Sequence, residues 1–347
     1  MAQRRRNINH LQPEWQDIPP EIKTILFSKC VYTTRLVLRQ CSKAELNIVD
    51  TLPVTVKAIT IGPSRPGYCN FIMTDDRNHS KEMSMEQAIK QLILIFRHPK
   101  SRCKEFNFGS TDATTSQQRL AEFMEELIIG LENANVSIRT MYFLWLWPRL
   151  TADFCIEALK LCDMSVFKYL CLSQDFDDAE GYQRLTETVQ WKSAEGIFHL
   201  CQAGTIIENY LHVNKLRINM NCLEGDYAKK LIDSFIGRDA PVGSFFRIVF
   251  PRSENLLPAI NSYRSVPLDI PPPTHCNIHI RGLKLRSPNN VLVIQCRANR
   301  CVEAFVCRIS HVQEDFRVPM MWFDASVDHS LEGGYFYPLS VDRLGWI

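Results

Sequence analysis

The sequence predicts an α/β protein made of a small helical unit, a long helix–strand array and a β-rich end. Three observations carry that reading. A short run with helical spacing follows two prolines near the start, in "PEWQDIPPEIKTILFSKC". Strand-like and helix-like segments then recur at roughly 25 to 35 residues, a period typical of stacked helix–strand repeats. Beyond three consecutive prolines, "CNIHIRGLKL", "NNVLVIQCR" and "VEAFVCRIS" alternate in the manner of antiparallel strands.

In the first segment Asp17 can cap a helix opened by Pro19 and Pro20, because proline in the first turn loses no intrahelical bond. Glu21 lies in that turn, where the helix dipole favours negative charge. Ile22, Ile25, Leu26 and Cys30 then share one face. A second segment, "TTRLVLRQC", carries Leu36, Val37, Leu38 and Cys41. A third opens at "SKAE", where Ser42 and Glu45 have capping-box spacing, and continues through Leu46, Ile48 and Val49. Three helices this short bury too little surface to be comfortable alone. Their apolar face therefore docks on a partner or packs on the rest of the chain, and the spacing alone leaves both open.

After "VDTLP" the array begins. "MEQAIKQLILIFRHP" has a helical period and stops at Pro99, and "CKEFNFGS" follows as a short strand. "RLAEFMEELIIGLENA" leads into "IRTMYFLWLW", and "TADFCIEALKLCD", capped at Thr151 or Asp153, leads into "VFKYLCLS". "YLHVNKLRINMN" precedes the helix "EGDYAKKLIDSFIG", and "SFFRIVF" returns as a strand. The repeats are irregular and lack an asparagine ladder. They predict a leucine-rich-repeat-like array with parallel strands, a plain α/β domain being the competing arrangement. The aromatic and aliphatic runs read as core. "PLDIPPPTHC" marks a boundary, since three prolines favour an extended linker. The aromatic tail, "VPMMWFDAS…EGGYFYPLSVDRLGWI", either folds back on the array or forms an exposed recognition patch. The boundaries are a disordered start over 1–12, a helical unit over 13–53, the array over 54–270, and the β-rich end over 271–347.

Composition narrows the function. Of 347 residues, 46% are hydrophobic and 22% charged, which is globular usage. A net charge of +2 gives no electrostatic case for nucleic acid or an acidic membrane. Thirteen cysteines, an odd number spread mainly through apolar runs, suit reduced and buried thiols in a cytoplasmic or nuclear protein. The apolar runs "LILIF" and "MYFLWLW" fall far short of the roughly 20 residues of a membrane helix.

No phosphate loop, dinucleotide fingerprint, nucleophile elbow, kinase set or His-Glu-x-x-His motif is present, so no enzymatic activity and no cofactor are expected. "THCNIH" places His275, Cys276 and His279 close together, but zinc needs a fourth ligand, and a surface histidine pair is the expectation. "SQDFDDAEG" offers Asp175, Asp177, Asp178 and Glu180 without the central glycine or distal glutamate of a calcium loop. It reads as a solvated acidic loop.

"DIPPEIKTILFSKCVYTTRLVLRQCSKAELNIVD" resembles an F-box, in the Pro-x-Glu-Ile start and the later Leu-Arg-x-Cys-Ser-Lys stretch. Glu45-Leu46 stand where many F-boxes carry tryptophan. "TVQWKSAEGIFHL…NYLHVNKLRINMNCLEGDYAKKLI" resembles the FTH (DUF38) domain of the expanded nematode F-box families, over about residues 150 to 310. The resemblance rests on Gln190 to Ala194 and on the stretch His212 to Met220. It implies structural roles for Trp191 and Ala194.

Together the two resemblances imply a substrate receptor of a Skp–cullin–F-box ubiquitin ligase. The alternative is an F-box scaffold acting outside ubiquitin transfer. The implied partners are a Skp-family adaptor, a cullin and a protein substrate. Adaptor contacts are expected from Ile18, Pro19, Ile22, Leu26, Cys30, Leu36, Leu38, Cys41 and Leu46. Substrate contacts are expected where strands and following loops face outward, at Asp175, Asp177 and Asp178, and at Tyr335, Phe336 and Tyr337 of the tail.

Overall fold

A computed structural model describes residues 15–75, 78–109, 116–145, 151–173, 176, 178–203, 206–268, 278–297 and 301–310. The chain divides into two units, Met1–Ser193 and Ala194–Ile347. The division falls well before the proline run that the sequence suggests as a boundary. That run lies mostly outside the described residues.

The first unit opens with a 3-10 turn (Trp15–Asp17) and three helices, α1 (Pro20–Lys29), α2 (Tyr32–Leu38) and α3 (Lys43–Asp50). Pro19, not Asp17, occupies the position before α1, and no side chain caps it. Strands β1 (Thr55–Pro63), β2 (Tyr68–Thr74) and β3 (Asn78–Ser84) form an antiparallel meander. Then come α4 (Met85–Phe96), β4 (Arg102–Phe108), α5 (Gln117–Asn133), β5 (Thr140–Trp145), α6 (Ala152–Lys160) and β6 (Tyr169–Leu172). Helices α7 (Ala179–Glu187) and α8 (Val189–Ser193) end the unit.

Strands β1, β4, β5 and β6 lie side by side and parallel, each joined to the next through a helix from β4 onward. This is the helix–strand alternation expected from the spacing. The register aligns Ile59, Phe106, Phe143 and Leu170 in one lateral row, and all four are fully buried. Phe108 extends the packing, with its ring 5.3 Å from Phe143 and 5.7 Å from Trp145. The helices cover this face with Ala88, Leu92 and Ile95 of α4 and Leu120, Met124, Leu127 and Leu131 of α5, at the spacing of a core-facing stripe. Helix α4 starts in a capping box between Ser84 and Gln87. Thr151 precedes α6 without a side-chain capping bond.

The second unit holds β7 (Gly196–Ala203), a 3-10 turn (Ile207–Tyr210), β8 (Lys215–Met220), β9 (Leu223–Glu224), α9 (Gly225–Gly237), β10 (Phe245–Val249) and β11 (Ser253–Glu254). It continues with α10 (Leu256–Asn261), β12 (Ser265–Val266), β13 (Ile278–Lys284), β14 (Asn290–Arg297) and β15 (Cys301–Arg308). Strands β7, β8 and β10 run parallel, and β15, β14, β13 and β12 add in turn antiparallel beyond β10. One row aligns Ile197, Leu216, Phe246, Ala304 and Ile294, all buried. Strand β8 alternates, burying Leu216, Ile218 and Met220 while Lys215, Arg217 and Asn219 stay half-buried, the pattern of a sheet with one packed face. Gly225 opens α9 because a side chain there would sit 2.4 Å from the Asn255 carbonyl oxygen.

The molecule is thus mixed α/β, helical at the front and strand-rich at the end. Among the described residues, no helix is long and apolar enough to cross a membrane.

Candidate functional site

The candidate site is the outer face of α1. Helical spacing lets two faces of α1 compete for the interior, and the less apolar one is inside. Lys23 and Phe27, four residues apart, are buried. Ile22, Ile25 and Leu26 point to solvent, with exposures of 48%, 57% and 45%. Val37 of α2 is 64% exposed.

A buried carboxylate explains why Lys23 turns inward. Lys23 Nζ and Trp15 Nε1 each donate to Glu45 Oε1 at 3.0 Å. The Ser42 hydroxyl donates to the other oxygen of Glu45. Ser42 Oγ also accepts from the backbone of Ala44 at 3.1 Å and of Glu45 at 3.4 Å. The expected capping box is therefore half formed: serine caps α3, and the glutamate binds two groups from the start of the unit instead. The Ser42 hydroxyl, then Lys23, hold the Glu45 carboxyl down at about 2. Lys23 Nζ lies 5.1 Å from the centre of the Trp15 ring, which stacks on Phe27 at 5.9 Å. Phe27 packs with Val49 and Leu52.

The rest of the helical unit is fastened to its own chain. Arg35 donates to the carbonyls of Ser28, Cys30 and Pro53 at 2.9, 2.8 and 2.8 Å, closing the end of α1 and the exit of α3. Burial lowers its pKa. Asp50 takes Arg39 through both oxygens, at 2.7 and 3.3 Å, and Arg97 from just past α4 at 3.2 Å. Gln91 of α4 donates to the Tyr32 hydroxyl at 3.0 Å. One side of the unit thus packs on the chain while the α1 face stays open.

These placements sort the sequence-predicted adaptor residues. Ile22 and Leu26 are exposed on α1 and Pro19 is exposed just before it, while Ile18 and Cys30 are half-buried at its two ends. Cys41 is exposed and Leu46 half-buried. Leu36 lines a crevice with Tyr32 and Leu94, and Leu38 packs on the Phe27–Val49–Leu52 cluster. Leu38 is half-buried there, with part of its side chain still at the surface. Ile25 and Val37, outside the sequence-based set, are exposed.

Of the proposed substrate contacts, Asp178 is described. It caps α7 by accepting from the Glu180 backbone at 3.1 Å and lies 3.7 Å from Arg184. Asp175, Asp177, Tyr335, Phe336 and Tyr337 lie outside the described residues, as do His275 and Cys276. His279 pairs with the Asn261 side chain at 3.1 Å. Among the described residues, no group of three or more His, Cys, Asp or Glu is placed to hold a metal.

From the end of β5 to β10 the chain is built on large buried side chains. Trp191 is 1% exposed, and its ring meets Tyr182 edge-on at 5.9 Å. Ala194 is buried. His199 Nδ1 and the Tyr210 hydroxyl form a buried pair at 2.8 Å, which sequence reading missed. Residues 144–246 match the FTH domain. The FTH match begins slightly before the stretch that resembled it in sequence and ends well before residue 310. It carries both Trp191 and Ala194 as interior residues, in line with the structural roles implied for them. No curated protein matches the chain.

Proposed function

We propose that the protein is a substrate-binding subunit of a Skp–cullin–F-box ubiquitin ligase, with α1 to α3 acting as the F-box. The open α1 face is the observation that supports this reading. Three large aliphatic side chains at i, i+3 and i+4 remain in water although Lys23 of the same helix is buried. A helix turned apolar side out is suited to a protein partner. The FTH match adds to it, because that family is associated with F-box proteins.

In this role the chain performs no catalysis and needs no cofactor. It holds a protein substrate beside a ubiquitin-charged enzyme, and the raised effective concentration does the work. The compartment is cytoplasmic or nuclear, where thiols stay reduced.

The test is co-purification of full-length protein with a Skp-family adaptor and cullin, against Ile22→Asp and Ile25→Asp. Each substitution places an unpaired charge in the interface and should weaken adaptor binding about 100-fold or more. Wild-type protein that ignores the adaptor would sink the reading. Adaptor bound without cullin would move it to a scaffold outside ubiquitin transfer.

A further inference from the structure

The geometry points to the groove between α4 and α5 as a docking site for a basic amphipathic helix of a partner protein. This inference is independent of the adaptor reading. It also lies on the helices, away from the loops where substrate contacts were expected.

The two helices present matching faces. Helix α4 offers Glu86, Ile89, Lys90 and Ile93, and α5 offers Glu122, Glu125, Glu126 and Ile129. Both sets fall at i, i+3, i+4 and i+7, so each is one continuous stripe. Between them runs an open groove of about 730 Å3. Its apolar lining is Ile89, Ile93 and Ile129, the last 56% exposed. Gly130 leaves room for the Ile89 side chain between the helices, since a side chain there would come within 2.6 Å of Ile89 Cδ1.

The charge on this groove is one-sided. Lys90 pairs with Glu86 one turn away, which uses the only cation in the lining. Glu122 accepts from the Gln118 amide at 2.9 Å, a neutral partner. Arg119, one turn before Glu122, donates to the Ser64 carbonyl instead. Among the described residues, no lysine or arginine forms an ion pair with Glu122, Glu125 or Glu126.

Three carboxylates within about one turn repel one another, and exposed Ile129 and half-buried Ile89 and Ile93 stand beside them. A helix with leucines at i, i+3, i+4 and i+7 and flanking lysines or arginines meets both features, placing its cations one turn apart against the carboxylates. The same negative field disfavours nucleic acid and anionic membrane surfaces.

The experiment measures fluorescence anisotropy on full-length protein. The probe is a labelled synthetic helix of about four turns, with leucines on one face and lysines and arginines flanking it. Its control replaces every cation with glutamate. Binding of the basic peptide alone, weakened by salt, is expected. The triple variant Glu122→Lys, Glu125→Lys, Glu126→Lys should bind it about tenfold more weakly or worse and should now prefer the acidic control. A misfolded variant would lose both peptides, so the reversal separates charge from folding. Ile129→Asp should also weaken binding of the basic peptide. Equal binding of the two peptides by wild type, or no reversal in a variant that unfolds at the wild-type temperature, overturns the proposal. So does a dimer of the chain that Ile129→Asp dissolves, since a second copy would then fill the groove.

Discussion

Lys23 and Glu45 meet at 3.0 Å as a buried ion pair, linking the first helix to the third across 22 residues of sequence. A buried pair of this kind gives little net stability against an apolar substitute, whereas breaking it by removing one partner is costly. Here it holds Lys23 inside and leaves Ile22 and Leu26 outside.

The first prediction follows from the acidity of Glu45. Its value drops from an ordinary 4.5 to about 2 in the folded chain, so the unfolded chain takes up the proton first as pH falls. The stability it contributes is complete above pH 4.5 and is lost on the way down to about 2. Denaturant titrations from pH 6 to pH 2 should show wild type losing more stability than Glu45→Gln across that window. Parallel curves would remove Glu45 from this role.

Phe27 and Ile22 lie on one helix and should behave in opposite ways. Phe27 is 1% exposed, so Phe27→Ala should destabilise the protein by about 3–5 kcal/mol, the usual cost of emptying an aromatic core site. Ile22→Asp should leave the unfolding midpoint nearly unchanged, because the side chain already sits in water. A large loss of stability in Ile22→Asp would show that something in the chain covers the face.

Trp191 should matter for folding rather than for binding. It is buried against Tyr182, and Trp191→Ala should cost about 3–5 kcal/mol in urea unfolding. Trp191→Phe should recover much of that, as a smaller ring in the same space. Unchanged stability in the alanine variant would refute the structural role.

The thiols give a fourth test. Burial pushes Cys69, Cys103 and Cys296 up to about 12 and also raises Cys155 and Cys162 well above an ordinary thiol. In the native state an alkylating reagent should reach exposed Cys41 quickly and these five slowly. In denaturant without reductant, all thirteen cysteines should be modified. Disulfide-linked peptides in the digest would contradict the reading.

Much of the fold was legible because period and length agree. The strands at Arg102–Phe108, Lys215–Met220 and Phe245–Val249, and the helices between them, stand where the alternation put them. The meander of β1, β2 and β3 has no helix between its strands, so the helix–strand period does not show it, although "TVKAITIGP" alternates. The candidate site was half legible. Spacing shows that Ile22, Ile25 and Leu26 share a face, but not whether the face looks inward. That is decided by Glu45, whose link to Lys23 no local pattern reveals. The α4 and α5 stripes are each visible in sequence, whereas the groove exists only once two helices pack side by side.

The antiparallel strands beside each parallel run also set where growth of the sheet stops. A parallel strand left at a border would offer unpaired amides and carbonyls to another chain. In the first unit β1 pairs outward with β2, and β2 with β3, whose residues from Asn78 to Glu82 are all exposed and include His79, Lys81 and Glu82. In the second unit β15 seals β10, and among the described residues the short β12 is the outermost strand beyond it. Charged or very short border strands of this kind are poor templates for fibril addition. Deleting residues 78–82 would therefore expose the β2 edge and should make aggregation of the chain rise more steeply with concentration than for the intact chain.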